Sequence, residues 1–267
     1  MPWRTKPSPY YVVVSEIMLQ QTQVSRVIGK FNSFVKKFPN WKALARASVK
    51  EVLEEWSGLG YNRRALYLKR VAETITENGK RPGVLPQTRE ELMALPGIGP
   101  NTAGSILAFV FNQPTTFIET NIRSVYIHFF FPLIEKAESA TQRSKTNKKV
   151  DDAQLLPLIE KTVDNKNPRQ WYWALMDYGS YLKTSLPNPS RRSTHHVKQK
   201  PFKGSNRELR SKILQTIMKS PGTYETIVER LGLNENEMEN DVAILRNIED
   251  LKREGFIVER KKKLQVV

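Results

Sequence analysis

From Tyr10 to about Leu186 the apolar residues recur at the spacing of an α-helix. Near the start of this stretch Val14, Ile17 and Met18 are separated by intervals that place them on one helix face. Few segments alternate apolar and polar residues with the period of two that a half-buried strand shows. This part of the chain is therefore predicted to be all-α.

Two helix starts carry a signal of their own. The segments Ser48–Glu51 and Thr88–Glu91 both have the capping-box pattern, in which a hydroxyl residue precedes a glutamate by three positions. Each comes directly before an apolar-periodic run, so each predicts the first turn of a helix. Residues 136–149, by contrast, are polar and basic, which predicts an exposed loop.

The sequence changes character after Leu186. Residues 187–205 contain prolines and basic residues but no acidic residue, which predicts a basic linker between a domain at 1–186 and a second one at 206–267. The predicted elements of the second domain are helices at 206–219, 223–231 and 236–254 and hairpin strands at 256–258 and 264–266 around a charged tip at 259–263. Three helices followed by a basic hairpin resemble a winged-helix domain that binds DNA. A small protein-contact domain would show the same pattern.

Charge and composition narrow the class of protein. The chain has 43 Lys and Arg residues against 27 Asp and Glu residues, a net charge of +16. Such an excess indicates a polyanionic partner, most commonly nucleic acid, although it could serve solubility alone. The absence of cysteine excludes disulfides, thiol catalysis and cysteine-held iron–sulfur clusters, and with three histidines we expect no metal site.

The N-terminal residues have no apolar signal-peptide core, and no apolar run reaches the ~18 residues that a membrane span needs. We therefore expect a cytoplasmic, nucleoid-associated monomer without membrane contact.

The sharpest local motif runs from Leu95 to Ala103. Apolar residues precede a turn with Gly97 and Gly99, and a helix rich in small residues follows. The two glycines are expected to form a tight turn with backbone conformations denied to other residues. The unpaired amides at the start of the next helix can then bind a phosphate without reading the base sequence. The motif predicts a helix-hairpin-helix element that binds DNA; a plain turn between two helices is the alternative.

Two carboxylates stand in unusual surroundings. Glu16 lies within an apolar run, and Glu119 follows Phe117 and Ile118. Cleavage of an N-glycosidic bond needs one carboxyl group that protonates the leaving base and one that stays ionised beside the oxocarbenium sugar. Each glutamate could instead be a helix-face charge or half of a salt bridge.

Five blocks together resemble the helix-hairpin-helix superfamily of DNA glycosylases, and most closely its adenine-specific, MutY-type branch. They occur in family order and cover about residues 2–186: Pro2–Arg4, Ser15–Gln23, Gly58–Tyr61, Leu95–Gly104 and Ala174–Gly179. The resemblance implies two helical lobes with the active site in the cleft between them, double-stranded DNA with a mispaired or damaged base as partner, and base flipping.

By the same resemblance, Glu16 protonates adenine and Gln21 wedges into the base stack. Tyr61 inserts beside the opposing damaged guanine, and Asn121 and Asp177 line the catalytic pocket. Gln21 could otherwise be an exposed helix residue and Tyr61 a packing ring. The full set of implied DNA contacts is Gln20, Gln21, Thr22, Tyr61, Arg63, Gly97, Gly99, Asn101 and Thr102.

The chain departs from the family at two site positions. Glu119 stands where the family has a catalytic aspartate, so the charge is kept on a side chain one methylene longer. Asn101 stands where related enzymes that also cut the backbone have a nucleophilic lysine, and where the MutY-type branch has serine or tyrosine. Asparagine cannot form a Schiff base, which favours hydrolysis by water.

The chain also lacks two family features. The first three positions of the [4Fe–4S] cysteines fall on Lys183, Ser190 and Ser193, so we expect no cofactor. The Nudix-like C-terminal module of the adenine branch has no counterpart in the sequence.

Three hypotheses follow. The first is a monofunctional glycosylase that removes adenine mispaired with 8-oxoguanine or guanine, with Glu16 as general acid and Glu119 as electrostatic stabiliser or transient nucleophile. The second keeps the enzyme but makes the substrate thymine in a G·T mispair or a damaged base. The third is a catalytically impaired DNA-binding protein on the same scaffold.

Overall fold

A computed structural model describes residues 1–5, 7–77, 81–132, 149–198, 201–232 and 238–267. Within these ranges the chain forms helices and one two-stranded sheet, which confirms the all-α prediction. None of the helices in these ranges has both the length and the apolar character needed to cross a bilayer. The loop expected at 136–149 lies outside the described residues except for Lys149.

The helices of the first half are α1 (Pro2–Thr5), α2 (Pro9–Leu19), α3 (Val24–Lys37), α4 (Trp41–Arg46), α5 (Val49–Trp56), α6 (Arg63–Glu77), α7 (Arg89–Met93) and α8 (Pro100–Phe111). Those that follow are α9 (Thr120–Phe130), α10 (Asp152–Thr162), α11 (Pro168–Ser185), α12 (Asn206–Lys219), α13 (Tyr224–Leu231) and α14 (Met238–Glu254). A short 3-10 helix covers Pro189–Arg192, and strands β1 (Ile257–Arg260) and β2 (Lys263–Val266) end the chain.

The chain divides into two compact units, each made of two separate segments. The first unit contains residues 1–17 and 85–198, and the second contains residues 18–84 and 199–267. The predicted second domain is thus clustered with an N-terminal part of the chain.

The core of the first unit lies where α9 and α11 pack together, with α8 and α10 beside them. The rings of Phe117 and Tyr172 are 4.2 Å apart between centroids. The Tyr172 hydroxyl donates a hydrogen bond to the carbonyl of Thr115. This packing fixes the segment that leads into α9.

Gly179 allows α11 to approach the start of α9. A Cβ atom at this position would lie 2.2 Å from the carbonyl oxygen of Asn121. We therefore expect Gly179→Ala to lower the free energy of unfolding by about 1–3 kcal/mol, because backbone atoms cannot move aside as a side chain can. Gly29→Ala is the control: Gly29 lies within α3 with nothing within 4 Å of an added Cβ. It should raise stability by roughly 0.5–1 kcal/mol. Urea denaturation measures both, and equal effects would contradict the close-approach argument.

Both predicted helix starts are confirmed, one of them with only half of its capping box. Ser48 accepts from the amide of Glu51, and the Glu51 carboxylate accepts from the amide of Ser48. Thr88 likewise accepts from the amide of Glu91. The Glu91 carboxylate, however, accepts from the Thr88 hydroxyl.

In the second unit, α6 is buried along one side and packs mainly against α4. The ring of Trp56, at the end of α5, meets Phe34 of α3 edge to face. The loops that precede α3 and α6, residues 20–23 and 57–62, lie beside this core and carry several of the side chains singled out in the sequence.

The C-terminal helices have the predicted order, and Glu254 at the end of α14 joins them to α6. Its carboxylate accepts from Arg63 Nε at 2.9 Å and from Arg210 Nη2 at 2.8 Å. Arg70 donates to its backbone carbonyl at 2.9 Å. One partly buried carboxylate therefore holds two guanidinium groups from separate helices. That the domain at 206–267 binds DNA as a winged helix stays a prediction.

The hairpin is longer than the sequence suggested. Its strands were expected at 256–258 and 264–266, but Glu259 pairs with Leu264 and Arg260 with Lys263. The turn shrinks to Lys261 and Lys262, both with positive φ, as the tightest hairpin turns require. The tip expected at 259–263 was too long. The hydrogen bonds between strands join backbone groups, so exposed residues with charged side chains can belong to a strand.

Candidate active site and nucleic-acid interface

The predicted hairpin element consists of α7, a short turn and α8. Gly97 has φ +75°, the left-handed conformation that favours glycine. Gly99 does not: it is the extended N-cap of α8, with nothing within 4 Å of an added Cβ. The expectation that both glycines adopt such conformations is wrong for Gly99, since an N-cap residue has ordinary extended backbone angles. Pro100 follows at the first helical position, and Thr102 is the third residue of the same helix.

Two side chains attach this hairpin to the segment before α9. Arg89 donates to the carbonyls of Pro100, at 3.0 Å, and Thr116, at 2.8 Å. Asn101 Oδ1 accepts from the amide of Ile118 at 3.1 Å. Asn101 therefore fixes the backbone next to Glu119, and the DNA contact expected of it stays a prediction.

Glu16 projects from α2, and part of its surface stays accessible. The Ser105 hydroxyl of α8 donates to Glu16 Oε2 at 2.6 Å. Desolvation by the surrounding residues, together with the nearby charge of Glu119, raises the pKa of Glu16 from its ordinary 4.5 to about 8. Ser105 and Arg4 act in the opposite direction and lower it. At neutral pH the group is mainly protonated, as a general acid must be.

Glu119 is the N-cap residue of α9 and is likewise partly buried. Desolvation raises the pKa of Glu119 to about 7, while the positive charges of Lys183, Arg4 and Arg123 lower it. The positive end of the α9 dipole also favours the ionised form at this position. These positive charges favour the ionised form of Glu119, whereas the charge of Glu119 disfavours ionisation of Glu16, so one carboxylate and one carboxylic acid can coexist near neutral pH.

Arg4 connects the N-terminus with α11. Its Nη1 contacts both oxygens of Asp177, at 2.9 and 2.8 Å, and its guanidinium lies over the Trp173 ring at 5.4 Å. Asp177, expected to line the catalytic pocket, has a side chain that is 60% exposed and holds Arg4. The structure thus shows Asp177 in contact with Arg4, whose charge lowers the pKa of both glutamates, and its place in the pocket stays a prediction.

Asn121 occupies the first turn of α9, two residues beyond Glu119. Its Oδ1 atom is buried and has no hydrogen-bond partner among the described residues. A buried polar atom without a hydrogen-bond partner raises the free energy of the folded state, so such atoms usually bind water or a ligand. An unsatisfied acceptor of this kind agrees with the predicted position of Asn121 in the pocket.

Sequence reasoning missed three residues that set the charge of the two glutamates. Ser105 was visible only as a small residue after the hairpin, and Arg4 only as part of a matching block. Lys183 was noted for lacking a thiol, whereas it is partly buried and interacts with the charge of Glu119. Each lies far from its glutamate in the sequence, so no local pattern could have revealed the pairing.

The remaining predicted DNA contacts lie in the second unit. Gln21 and Tyr61 are exposed and have φ of 55° and 47°, in the left-handed region. Thr22 and the carbonyl of Gln20 adjoin Gln21 and face inward. Arg63, expected to bind DNA, is paired with the carboxylate of Glu254.

The residues at the family's cluster positions do not fit an iron–sulfur cluster. Ser190 and Ser193 are buried, and their hydroxyls already take part in hydrogen bonds. Ser190 donates to Asn188 Oδ1 at 2.8 Å, and Ser193 accepts from the amide of His195 at 3.0 Å. The adjacent Val150 forms a backbone bridge to Ser193. Hydrogen bonds of serine hydroxyls and backbone groups hold this loop, and the sequence contains no cysteine thiolate that could bind iron.

The chain matches the family model described as "HhH-GPD superfamily base excision DNA repair protein" over residues 14–151. It is 35% identical over 182 residues to an adenine DNA glycosylase of Buchnera aphidicola subsp. Baizongia pistaciae, covering 68% of this chain and 48% of that protein. It is 34% identical over 193 residues to the human adenine DNA glycosylase, covering 69% and 33%. The chain thus spans half or less of the length of these relatives.

Two solved structures share the fold. A thermostable thymine-DNA glycosylase aligns with TM-score 0.54 and 22% identity over 67% of this chain and 77% of its own. A non-covalent endonuclease III–DNA complex aligns with TM-score 0.54 and 15% identity over 70% and 86%. At these identities the likeness concerns the fold alone.

Proposed function

The chain belongs to the HhH-GPD superfamily of base excision DNA repair proteins, and on that premise we propose that it is a monofunctional DNA glycosylase acting on duplex DNA. Its substrate is adenine mispaired with 8-oxoguanine or guanine. The observation that carries the proposal is the pair Glu16 and Glu119, two half-buried carboxyl groups of one unit. Glu16 accepts from the Ser105 hydroxyl of α8, and Glu119 stands at the N-cap of α9, near the positive charges of Lys183, Arg4 and Arg123.

In the proposed mechanism the adenine nucleotide leaves the base stack before any bond breaks. Protonated Glu16 donates its proton to a ring nitrogen of the base, which makes the base a better leaving group. The bond between C1′ and the base nitrogen then breaks, and both bonding electrons go to the base. Ionised Glu119 stabilises the positive charge that develops on the sugar.

Water completes the proposed reaction. Its oxygen bonds to C1′ and its proton passes to a carboxylate, so that the products are free adenine and an abasic site. Asn101 has no amine that could replace water as the nucleophile, and its side-chain oxygen already accepts from Ile118. This contact supports hydrolysis without cleavage of the DNA backbone.

The choice of adenine rests on the relatives. Those named adenine DNA glycosylase reach 40% identity in the mouse protein, over 134 residues and 47% of this chain. We assign residues 1–186 to the glycosylase domain, 187–205 to a basic linker and 206–267 to a winged-helix-like module. The exposed basic turn of the hairpin supports a DNA-facing role for this module.

Single-turnover assays on duplexes with one defined lesion test the proposal. We expect an abasic site where adenine is opposite 8-oxoguanine or guanine, slower release from A·T, and no strand cleavage. Faster release of thymine from a G·T mispair, or of a damaged base, would reject adenine as the substrate. Binding without release of any base would reject the enzyme altogether. Covalent trapping by borohydride would reject hydrolysis by water, with Lys183 the first amine to test.

A further inference from the structure

Gln21 and Tyr61 share an uncommon backbone conformation. Both are non-glycine residues with positive φ, 55° and 47°, and both are exposed at the tips of loops in the second unit. L-residues avoid this region unless the surrounding structure holds them there, and such residues cluster at functional sites. Something must therefore hold each loop in place.

Both loops are held by one side chain, that of Arg64 in the first turn of α6. Only 7% of Arg64 is exposed, although arginine is seldom buried. Its guanidinium makes hydrogen bonds to both loops. In the first loop, Nη1 donates to the carbonyl of Gln20 at 2.6 Å and Nη2 to Thr22 Oγ1 at 3.0 Å. In the second, Nη2 donates to the carbonyls of Leu59 at 3.3 Å and Gly60 at 3.1 Å. Nη1 also donates to the carbonyl of Met18, at the end of α2, at 2.8 Å.

Aromatic rings complete the surroundings of this guanidinium. It lies 5.4 Å from the centroid of Trp56 and 5.5 Å from that of Tyr61. The Trp56 indole also donates to the carbonyl of Gly60 at 3.1 Å. Burial lowers the pKa of Arg64 to about 10, which leaves it fully charged near neutral pH. The charge strengthens both the hydrogen bonds and the ring contacts.

We propose that Arg64 is a positioning residue that fastens the Gln21 and Tyr61 loops into one rigid element, so that both side chains enter the base stack together. This inference rests on the proposed function, in which a base is flipped out of a duplex. The bonds of Arg64 run to the two loops on either side of it, so the arginine fixes the relative position of their tips. Loops ordered in advance lose less entropy when DNA binds.

The tyrosine has a second fixed contact. Arg207, in the first turn of α12, donates to the Tyr61 hydroxyl at 3.1 Å. The ring is therefore held over its face by Arg64 and at its hydroxyl by Arg207. Only a planar guanidinium with several donors reaches carbonyls of two loops at once, so lysine should not replace Arg64.

The test uses Arg64→Met, Arg64→Lys and, as control, Lys69→Met in the full chain. Lys69 is a buried cation on the same helix. Among the described residues its ammonium donates to the carbonyl of Ala45 and to Glu73, and neither of these partners belongs to the two loops. A duplex carrying 2-aminopurine at the flipped position reports unstacking as a rise in fluorescence. Measured at saturating protein, the size of this rise does not depend on the fraction of protein that is folded.

We expect the fluorescence rise to be lost in Arg64→Met and Arg64→Lys but kept in Lys69→Met. Single-turnover base release should fall by about 10- to 100-fold in both Arg64 variants, the loss typical of a misplacement of about 1 Å. The fluorescence rise and the rate of base release separate a positioning role from a structural one. A merely structural role would affect Arg64→Met and Lys69→Met alike, because both substitutions remove a buried cation from α6.

Equal fluorescence and rates in Arg64→Met and Lys69→Met would overturn the proposal. Full recovery in Arg64→Lys would also overturn it, because a charge without the bridging geometry would then suffice. If Arg64→Met does not fold, Arg64→Lys decides alone. A wild type that unstacks 2-aminopurine but releases no base contradicts the proposed function and leaves the role of Arg64 open to the fluorescence test. A wild type that gives no fluorescence rise contradicts the role of Arg64.

Discussion

Replacement of Glu16 by glutamine is expected to lower single-turnover base release by about 10³- to 10⁴-fold, at the upper end of what a general acid contributes. Glutamine matches the size of glutamate and can still accept from Ser105, but its amide has no acidic proton that it could transfer to the base. The measurement is abasic-site formation in a duplex with one adenine mispair. Unchanged DNA affinity in the same variant shows that the loss lies in the chemical step. Full activity would remove Glu16 from the mechanism.

The pH profile gives a second test of Glu16. The acid acts while protonated, so the rate should fall as the pH rises through about 8. The hydrogen bond from Ser105 stabilises the ionised carboxylate and so lowers the pKa of Glu16. Removing it in Ser105→Ala should raise that pKa and move the falling limb to higher pH. A shift toward lower pH would contradict this arrangement.

The burial of Glu16 also predicts that this residue lowers the free energy of unfolding above about pH 4.5. The folded pKa of Glu16 exceeds its unfolded value of about 4.5, so the unfolded chain loses this proton first as the pH rises. Wild-type stability should therefore decrease between about pH 4.5 and 8 relative to Glu16→Gln, with each pKa unit worth on the order of 1.4 kcal/mol. Denaturant titrations across this range measure the difference, which should level off above pH 8.

Glu119→Gln is expected to lower base release by about 10²- to 10³-fold, the loss typical of removing one preorganised electrostatic contact. Glu119→Asp discriminates between its two possible roles. An electrostatic stabiliser tolerates a retreat of one methylene, since Coulomb energy falls slowly with distance, and we expect a loss within about tenfold. A nucleophile that bonds to C1′ would lose about 100-fold or more for a misplacement of about 1 Å.

Lys183→Met tests whether the positive charge of Lys183 favours ionisation of Glu119. The carboxylate acts while ionised, so the rate should rise with pH through about 7. Without the positive charge of Lys183 the ionised form is less stable and the pKa of Glu119 increases. The rising limb should then move to higher pH while the falling limb, set by Glu16, stays in place. An unmoved rising limb would mean that Lys183 does not act on Glu119.

The sequence predicts elements well because their signals are local. Apolar spacing and the segments Ser48–Glu51 and Thr88–Glu91 correctly indicate helices, and the backbone of Gly97 follows from its turn. The prediction for Gly99 was wrong because a glycine before a helix can equally be an extended N-cap. The hairpin strands were cut short because exposed charged residues do not show which backbone groups pair.

The candidate site is less accessible to such reasoning. Glu16 and Glu119 stand out because a carboxylate in an apolar run is unusual, and the family resemblance adds their roles. Their electrostatic partners and the two loops bridged by Arg64 depend on contacts between residues far apart in sequence. Periodicity and composition give no information on contacts between residues distant in sequence, so these contacts become visible only in the folded chain.

The two-segment composition of each unit has a consequence for synthesis. Residues 18–84 leave the ribosome before the segment that completes their unit, which begins at residue 199. At about 5–20 residues per second, translation of the intervening chain takes on the order of ten seconds. During that interval α6 emerges without Glu254, its partner from the C-terminal segment. Chaperone binding to nascent chains should therefore be strongest before residue 199 appears, and a stop codon shortly before it should yield an aggregation-prone product.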